Sequence, residues 1–146
     1  MAPIGSNHAG TVGFLAKRLE RAVGDSALVF VQNPLSLTAI SEPQPDLMLL
    51  KPRADFYRSA HPRPEDVLLI IEVADTTLAY DRDIKVPLYA RHAIPEAWLV
   101  DLENKRLHVF TSPFDTGYLE SHSLARPGVL CLVALSGSQV DVGGVF

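Results

Sequence analysis

Val67-Leu68-Leu69-Ile70-Ile71-Glu72 is the stretch that decides the fold. A continuous apolar run rich in β-branched residues marks a strand covered on both faces, the kind found at the centre of a sheet with helices on either side. The run closes on a carboxylate, Glu72, and a charge at the border of a buried strand is costly unless it is partnered. The rest of the chain can be read outward from this strand.

Downstream, residues 81–92 have helical period, with Ile84, Leu88 and Tyr89 expected to face inward. Pro87 requires this helix to begin close to it or to bend. Residues 97–101 and 106–111 read as two strands joined by a hairpin turn at Glu103-Asn104-Lys105, and 117–123 and 129–134 are expected to extend the sheet. Upstream, residues 46–50 form an apolar run after Pro43 and Pro45. Residues 27–32 are β-rich, Asn33-Pro34 signals a turn, and 35–40 alternate Leu35, Leu37 and Ala39 inward, which predicts a short strand. Residues 9–23 carry Val12, Leu15, Ala16, Leu19, Ala22 and Val23 as a stripe opposite Lys17, Arg18, Glu20 and Arg21, an amphipathic helix closed by Gly24. Residues 51–64, broken by prolines, form a loop. The fold class is α/β, a mixed β-sheet flanked by helices with core order α-β-β-β-α-β.

With 146 residues, 47% apolar and 21% charged, the chain is expected to form one domain over 1–146 with its own core. Cys131 is the single cysteine, so no internal disulfide forms. The start of the chain lacks the pattern of a secretory signal, and no apolar run approaches the ~18 residues of a membrane span, so a cytoplasmic setting is expected. Thirteen Lys and Arg against seventeen Asp and Glu give a net charge of −4. That balance argues against a protein held on nucleic acid by bulk positive charge, and leaves room for an acidic cluster whose divalent cation meets the phosphate.

Asp46 and Glu72 each border an apolar strand. On neighbouring strands they would meet at one edge as a hard oxygen site suited to Mg²⁺ or Mn²⁺. The bland alternative is that Asp46 caps a turn after Pro45 and Glu72 pairs with an arginine. Lys85 lies four residues after Asp81 and four before Tyr89, on one helix face, where its ammonium could act on a phosphate or a polarised water. A solvated Lys85–Asp81 pair is the competing reading. The loop at 51–64 holds Lys51, Arg53, Arg58, Arg63 and His61 with Phe56 and Tyr57. Beside an acidic site these would suit phosphate contact and base stacking, though an ordinary solvated loop reads the same way. The histidines show no zinc spacing, no nucleophile elbow, P-loop or dinucleotide fingerprint is present, and Trp98 reads as core.

In order and spacing, the chain from Pro3 to Pro113 resembles the Uma-two family of restriction endonuclease-like proteins, within the PD-(D/E)xK nuclease superfamily. The residues that carry the likeness are Pro3-Ile4-Gly5, His8, Gln32-Asn33-Pro34, Pro43-Gln44-Pro45-Asp46, Ile71-Glu72-Val73, Tyr80-Asp81-Arg82, Lys85, Tyr89-Ala90-Arg91 and Ile94-Pro95-Glu96-Ala97-Trp98-Leu99-Val100-Asp101. The resemblance implies that Asp46 is the Asp of the PD element, that Glu72 is the acid of the (D/E)xK element, that both bind metal, and that Lys85 is the catalytic lysine. In the usual pattern the lysine follows the acid by two positions, where this chain has Ala74, so the function is expected to have moved to the next helix. Glu20 stands where the superfamily has a helical acid, and His8 matches a family position without an assigned role. The family usually carries a further segment before the Pro-x-Gly stretch, so the resemblance leads to the expectation of a domain that is N-terminally short relative to the family.

The expected function is therefore a Mg²⁺- or Mn²⁺-dependent endonuclease hydrolysing DNA phosphodiester bonds, with Asp46, Glu72 and Lys85 in the site. The rival is a non-catalytic nucleic-acid or protein-binding module that keeps the nuclease fold, and a small-molecule phosphohydrolase is a third reading. A homodimer is expected from the need for two cuts in a duplex and from a sheet edge free to pair.

Overall fold

The structure is a computed structural model and describes residues 4–146. Helix α1 (Ser6–Val23) precedes strands β1 (Leu28–Val31), β2 (Leu47–Leu50) and β3 (Val67–Ala74). A helical crossover follows, made of α2 (Leu78–Tyr80), a π-helical turn (Asp81–Lys85) and α3 (Val86–Arg91). Strands β4 (Glu96–Asp101), β5 (Arg106–Phe114) and β6 (Gly117–Leu124) complete a sheet in the order β1-β2-β3-β4-β5-β6. Among the described residues only β3 and β4 run parallel, as the crossover between them requires. The α/β class and the core order α-β-β-β-α-β are both present.

Every residue of β3 is buried, in keeping with its place inside the sheet and its unbroken apolar sequence. Leu69, Ile71 and Val73 join Leu47 and Leu49 in a core under Val12, Leu15, Leu19 and Val23 of α1. Ile70 joins Met48, Leu50, Tyr89 and Ile94 in a second core on the other face. The sheet is thus filled from both sides, and Glu72, two residues beyond Ile70, projects toward the crossover helix. Gly24 ends α1 at φ 50°, a left-handed turn that glycine adopts without a Cβ clash.

Four local expectations are corrected. Residues 35–40 form no strand, because the Leu35 amide bonds the Pro43 carbonyl (2.9 Å) and the Leu37 amide bonds that of Ser41 (3.0 Å). These bonds fold the segment back on itself between prolines, and only Leu35 is fully buried. Strand β7 (Val129–Cys131) does not extend the main sheet but pairs with β8 (Gln139–Asp141). Pro127-Gly128 turns the chain off the sheet, and Val140 and Val142 then pack under α1. Ile84, expected inward, is 51% exposed, while Asp81 is 3% exposed. The wide π turn presents Asp81 and Lys85 on the inner face, and Val86 and Tyr89 carry the apolar packing.

The basic loop is the fourth. Its ends meet where the Lys51 amide bonds the Asp66 carbonyl (2.8 Å), at the end of β2 opposite Asp46. Arg53 is engaged by Asp55 at 3.0 Å and lies over the Tyr57 ring at 4.4 Å, and the Tyr57 hydroxyl donates to the Lys51 carbonyl at 2.6 Å. The aromatic and basic residues of the loop are therefore partly spent on holding the loop itself. No helix among the described residues is long and apolar enough to cross a membrane.

Candidate active site

Asp46 is the last residue before β2, and Glu72 lies near the end of β3. The antiparallel register pairs Leu47 with Ile71, so one step on places Asp46 opposite Glu72. The two are joined directly: the Asp46 amide donates to Glu72 Oε1 at 3.0 Å, and Asp46 Oδ2 accepts the Val73 amide at 2.8 Å. Asp46 therefore does not merely cap a turn, and Glu72 has a lysine rather than an arginine as its partner.

Lys85 reaches Glu72 from the π turn. Its Nζ lies 2.9 Å from Glu72 Oε2 and 3.5 Å from Asp81 Oδ1. The Tyr89 hydroxyl, one turn further along, donates to the same Glu72 oxygen at 3.1 Å. Thr77 donates to Asp81 Oδ2 at 2.8 Å and so fixes the second carboxylate that faces the lysine. The expectation that Asp81, Lys85 and Tyr89 share one helix face holds, and the face is turned to the sheet rather than to water. The Lys85 side chain is 26% exposed and that of Glu72 2%.

Burial, reinforced by the charge of Asp46, pushes the Glu72 carboxyl up to about 7, although Lys85 and the Asp46 amide pull the other way. Burial likewise raises Asp81, against the pull of Thr77 and Lys85. Burial alone would lower Lys85, but Glu72, Asp81 and Asp46 together carry it above its ordinary value, so the lysine is a fixed positive charge. Tyr89 is raised by burial and by the charge of Glu72 and stays a neutral donor.

His8, in the first turn of α1, completes the neighbourhood: its Nε2 lies 3.4 Å from Asp46 Oδ2. Helix periodicity cannot show this contact, because α1 and Asp46 meet only through the packing of α1 on the sheet. Glu20 lies twelve residues further along the same helix and lines a separate cavity of about 480 Å³ with Asp25, Phe30, Arg53 and Phe56. It is not part of the site.

The arrangement offers two adjacent carboxylates, a fixed cation and a tyrosine donor where β2 begins and β3 ends. Oδ1 of Asp46 accepts no hydrogen bond among the described residues, whereas both oxygens of Glu72 hold protein donors.

No curated protein sequence matches the chain. A solved structure from Anabaena variabilis, titled a putative nuclease belonging to DUF820, superposes with a TM-score of 0.67 at 17% identity. It covers 94% of this chain and 80% of its own, a likeness of fold. The family model described as "Uma2: Putative restriction endonuclease" matches residues 1–143, and the chain belongs to that family.

Proposed function

We propose that the chain is a Mg²⁺- or Mn²⁺-dependent endonuclease that hydrolyses DNA phosphodiester bonds, with Asp46 and Glu72 as cation ligands and Lys85 as the catalytic lysine. The observation that carries this reading is the Lys85–Glu72 contact of 2.9 Å, made beside Asp46, whose backbone amide donates to Glu72 Oε1 at 3.0 Å. Residues distant in sequence meet there at one point.

The donor set fits a hard cation that takes one or two carboxylates and keeps several waters. Asp46 offers the unengaged Oδ1, and Glu72 stands next to it. No cluster of three His, Cys, Asp or Glu that could hold an ion is present among the described residues, so water and phosphate oxygens would complete the shell. When bound, such an ion lowers the pKa of a water and offsets charge on the phosphate. Asp46, Glu72 and Asp81 outnumber Lys85, so without a cation the site repels a polyanion. Lys85, held between Glu72 and Asp81, would place its ammonium on a phosphate oxygen or on the attacking water as negative charge develops. Tyr89 fixes the Glu72 carboxylate, which keeps the lysine in register.

The domain is proposed to span residues 1–146, acting on DNA in a cytoplasmic setting. As a homodimer it would pair through a free sheet edge such as that of β1, whose one strand partner among the described residues is β2.

The test is cleavage of supercoiled and single-stranded DNA by the wild type and Glu72→Ala with Mg²⁺, Mn²⁺ or EDTA. The proposal expects products only from the wild type with a cation. Folded wild type that cuts neither substrate with either ion removes it. One observation favours the non-catalytic binding module instead: both Glu72 oxygens already hold protein donors, as in a structural network. DNA binding unaffected by EDTA and by Asp46→Ala, without cleavage, would favour that module.

A further inference from the structure

His8 lies in the first turn of α1, where its neighbours Ser6, Asn7 and Ala9 are exposed. Its side chain is nevertheless only 14% exposed and faces Asp46. Its Nδ1 is buried without a partner, the one such side-chain atom among the described residues. Most buried side-chain nitrogens have a partner, and here the polar contact of the imidazole is that of Nε2 with Asp46. The first turn of α1 has no acidic residue that could hold the imidazole there.

The contact falls on one oxygen of Asp46. Oδ2 takes the Val73 amide at 2.8 Å and faces His8 Nε2 at 3.4 Å, while Oδ1 has no protein donor. β3 and α1 thus both engage the same carboxylate oxygen and leave the other without a protein donor.

We propose that His8 is a positioning residue: its Nε2 engages Asp46 Oδ2 and fixes the carboxylate so that Oδ1 is presented to the divalent cation. This rests on the cation site proposed above. Residues that orient a ligand from behind set metal affinity as well as geometry, so losing one weakens binding while the ligand itself remains. A histidine that served only to hold α1 on the sheet would affect folding stability and leave affinity unchanged.

The test is Mn²⁺ binding to the full chain by titration calorimetry at fixed pH, for wild type, His8→Ala and His8→Gln, with the metal-free melting temperature of each as the measure of folding. His8→Ala is expected to bind Mn²⁺ at least ~10-fold more weakly. His8→Gln, whose amide can reach the position of Nε2, is expected to recover most of the loss. Equal affinity in wild type and His8→Ala overturns the role of His8 and leaves the cation site standing. Folded His8→Gln that binds as weakly as His8→Ala also overturns it, since a donor at that position would then not matter. Wild type that takes up no Mn²⁺ overturns the cation site and the role of His8 together.

Discussion

Lys85 Nζ lies 2.9 Å from Glu72 Oε2, bridging the crossover helix and the buried strand β3. Position 74, two residues after Glu72, holds Ala74, which is fully buried. An ammonium there would have to enter a close-packed interior, whereas the π turn brings Lys85 to the same carboxylate with its stem partly in water. The position of the lysine follows from where the fold leaves room.

Removing Lys85 leaves a buried carboxylate without its cation. Lys85→Ala is expected to lose about 3 kcal/mol of stability at pH 8 in urea denaturation. At pH 5.5, below the Glu72 value of about 7, the carboxyl is protonated and the loss should be much smaller. Adding Glu72→Gln should recover much of the pH 8 loss, and a pH-independent deficit would show that the two residues are not coupled.

Glu72 should also leave its mark on the pH dependence of the metal-free protein. Its ordinary value is 4.5 and burial raises it to about 7, so the folded state holds a proton that the unfolded chain has released. This contribution is complete below pH 4.5 and is lost as pH rises through 7, about 3 kcal/mol in all. Subtracting the stability curve of Glu72→Gln from that of wild type isolates it. Mg²⁺ should stabilise wild type more at pH 8 than at pH 5, where its ligand is protonated. A difference curve that is flat with pH contradicts the burial argument.

Tyr89→Phe deletes one donor to Glu72 Oε2 without changing the volume of the core. About 1–2 kcal/mol should be lost at pH 8, and the midpoint of the Glu72 titration should move further up, because the hydroxyl stabilises the charged form. An unchanged midpoint would mean that the hydrogen bond of 3.1 Å does not persist in solution.

Much of this was readable in the residues. The run Val67 to Ile71 placed the buried strand, the stripe from Val12 to Val23 placed α1, and the spacing of Asp81, Lys85 and Tyr89 put them on one face. Long-range packing was not readable. Leu35 to Ile40 alternates like a strand, but its amides find nearer carbonyls. Ile84 has helical spacing but is displaced outward by the π turn, which no propensity marks. His8 meets Asp46 only because α1 lies across the sheet, and the basic loop at 51–64 closes at the far end of β2, which composition cannot show.

Glu96 provides a contrast within the same molecule. It is buried, and its carboxyl is raised by burial, but it lies with Trp98 on the α1 side of β4, accepting the Trp98 indole at 2.9 Å and the Val133 amide at 3.0 Å. Glu96→Ala is expected to cost about 2–3 kcal/mol by stranding both donors, with the specific cleavage rate of the folded fraction unchanged. A fall in that rate without a fall in stability would bring Glu96 into the site.

The central claim is that Asp46, Glu72 and Lys85 act as one hydrolytic site, and the most direct measurement is the nicking of supercoiled DNA in Mg²⁺ by Lys85→Ala beside wild type, at a pH where both are folded. The account predicts nicked product from wild type and none above the EDTA control from the variant. Nicking by folded Lys85→Ala at the wild-type rate would contradict it.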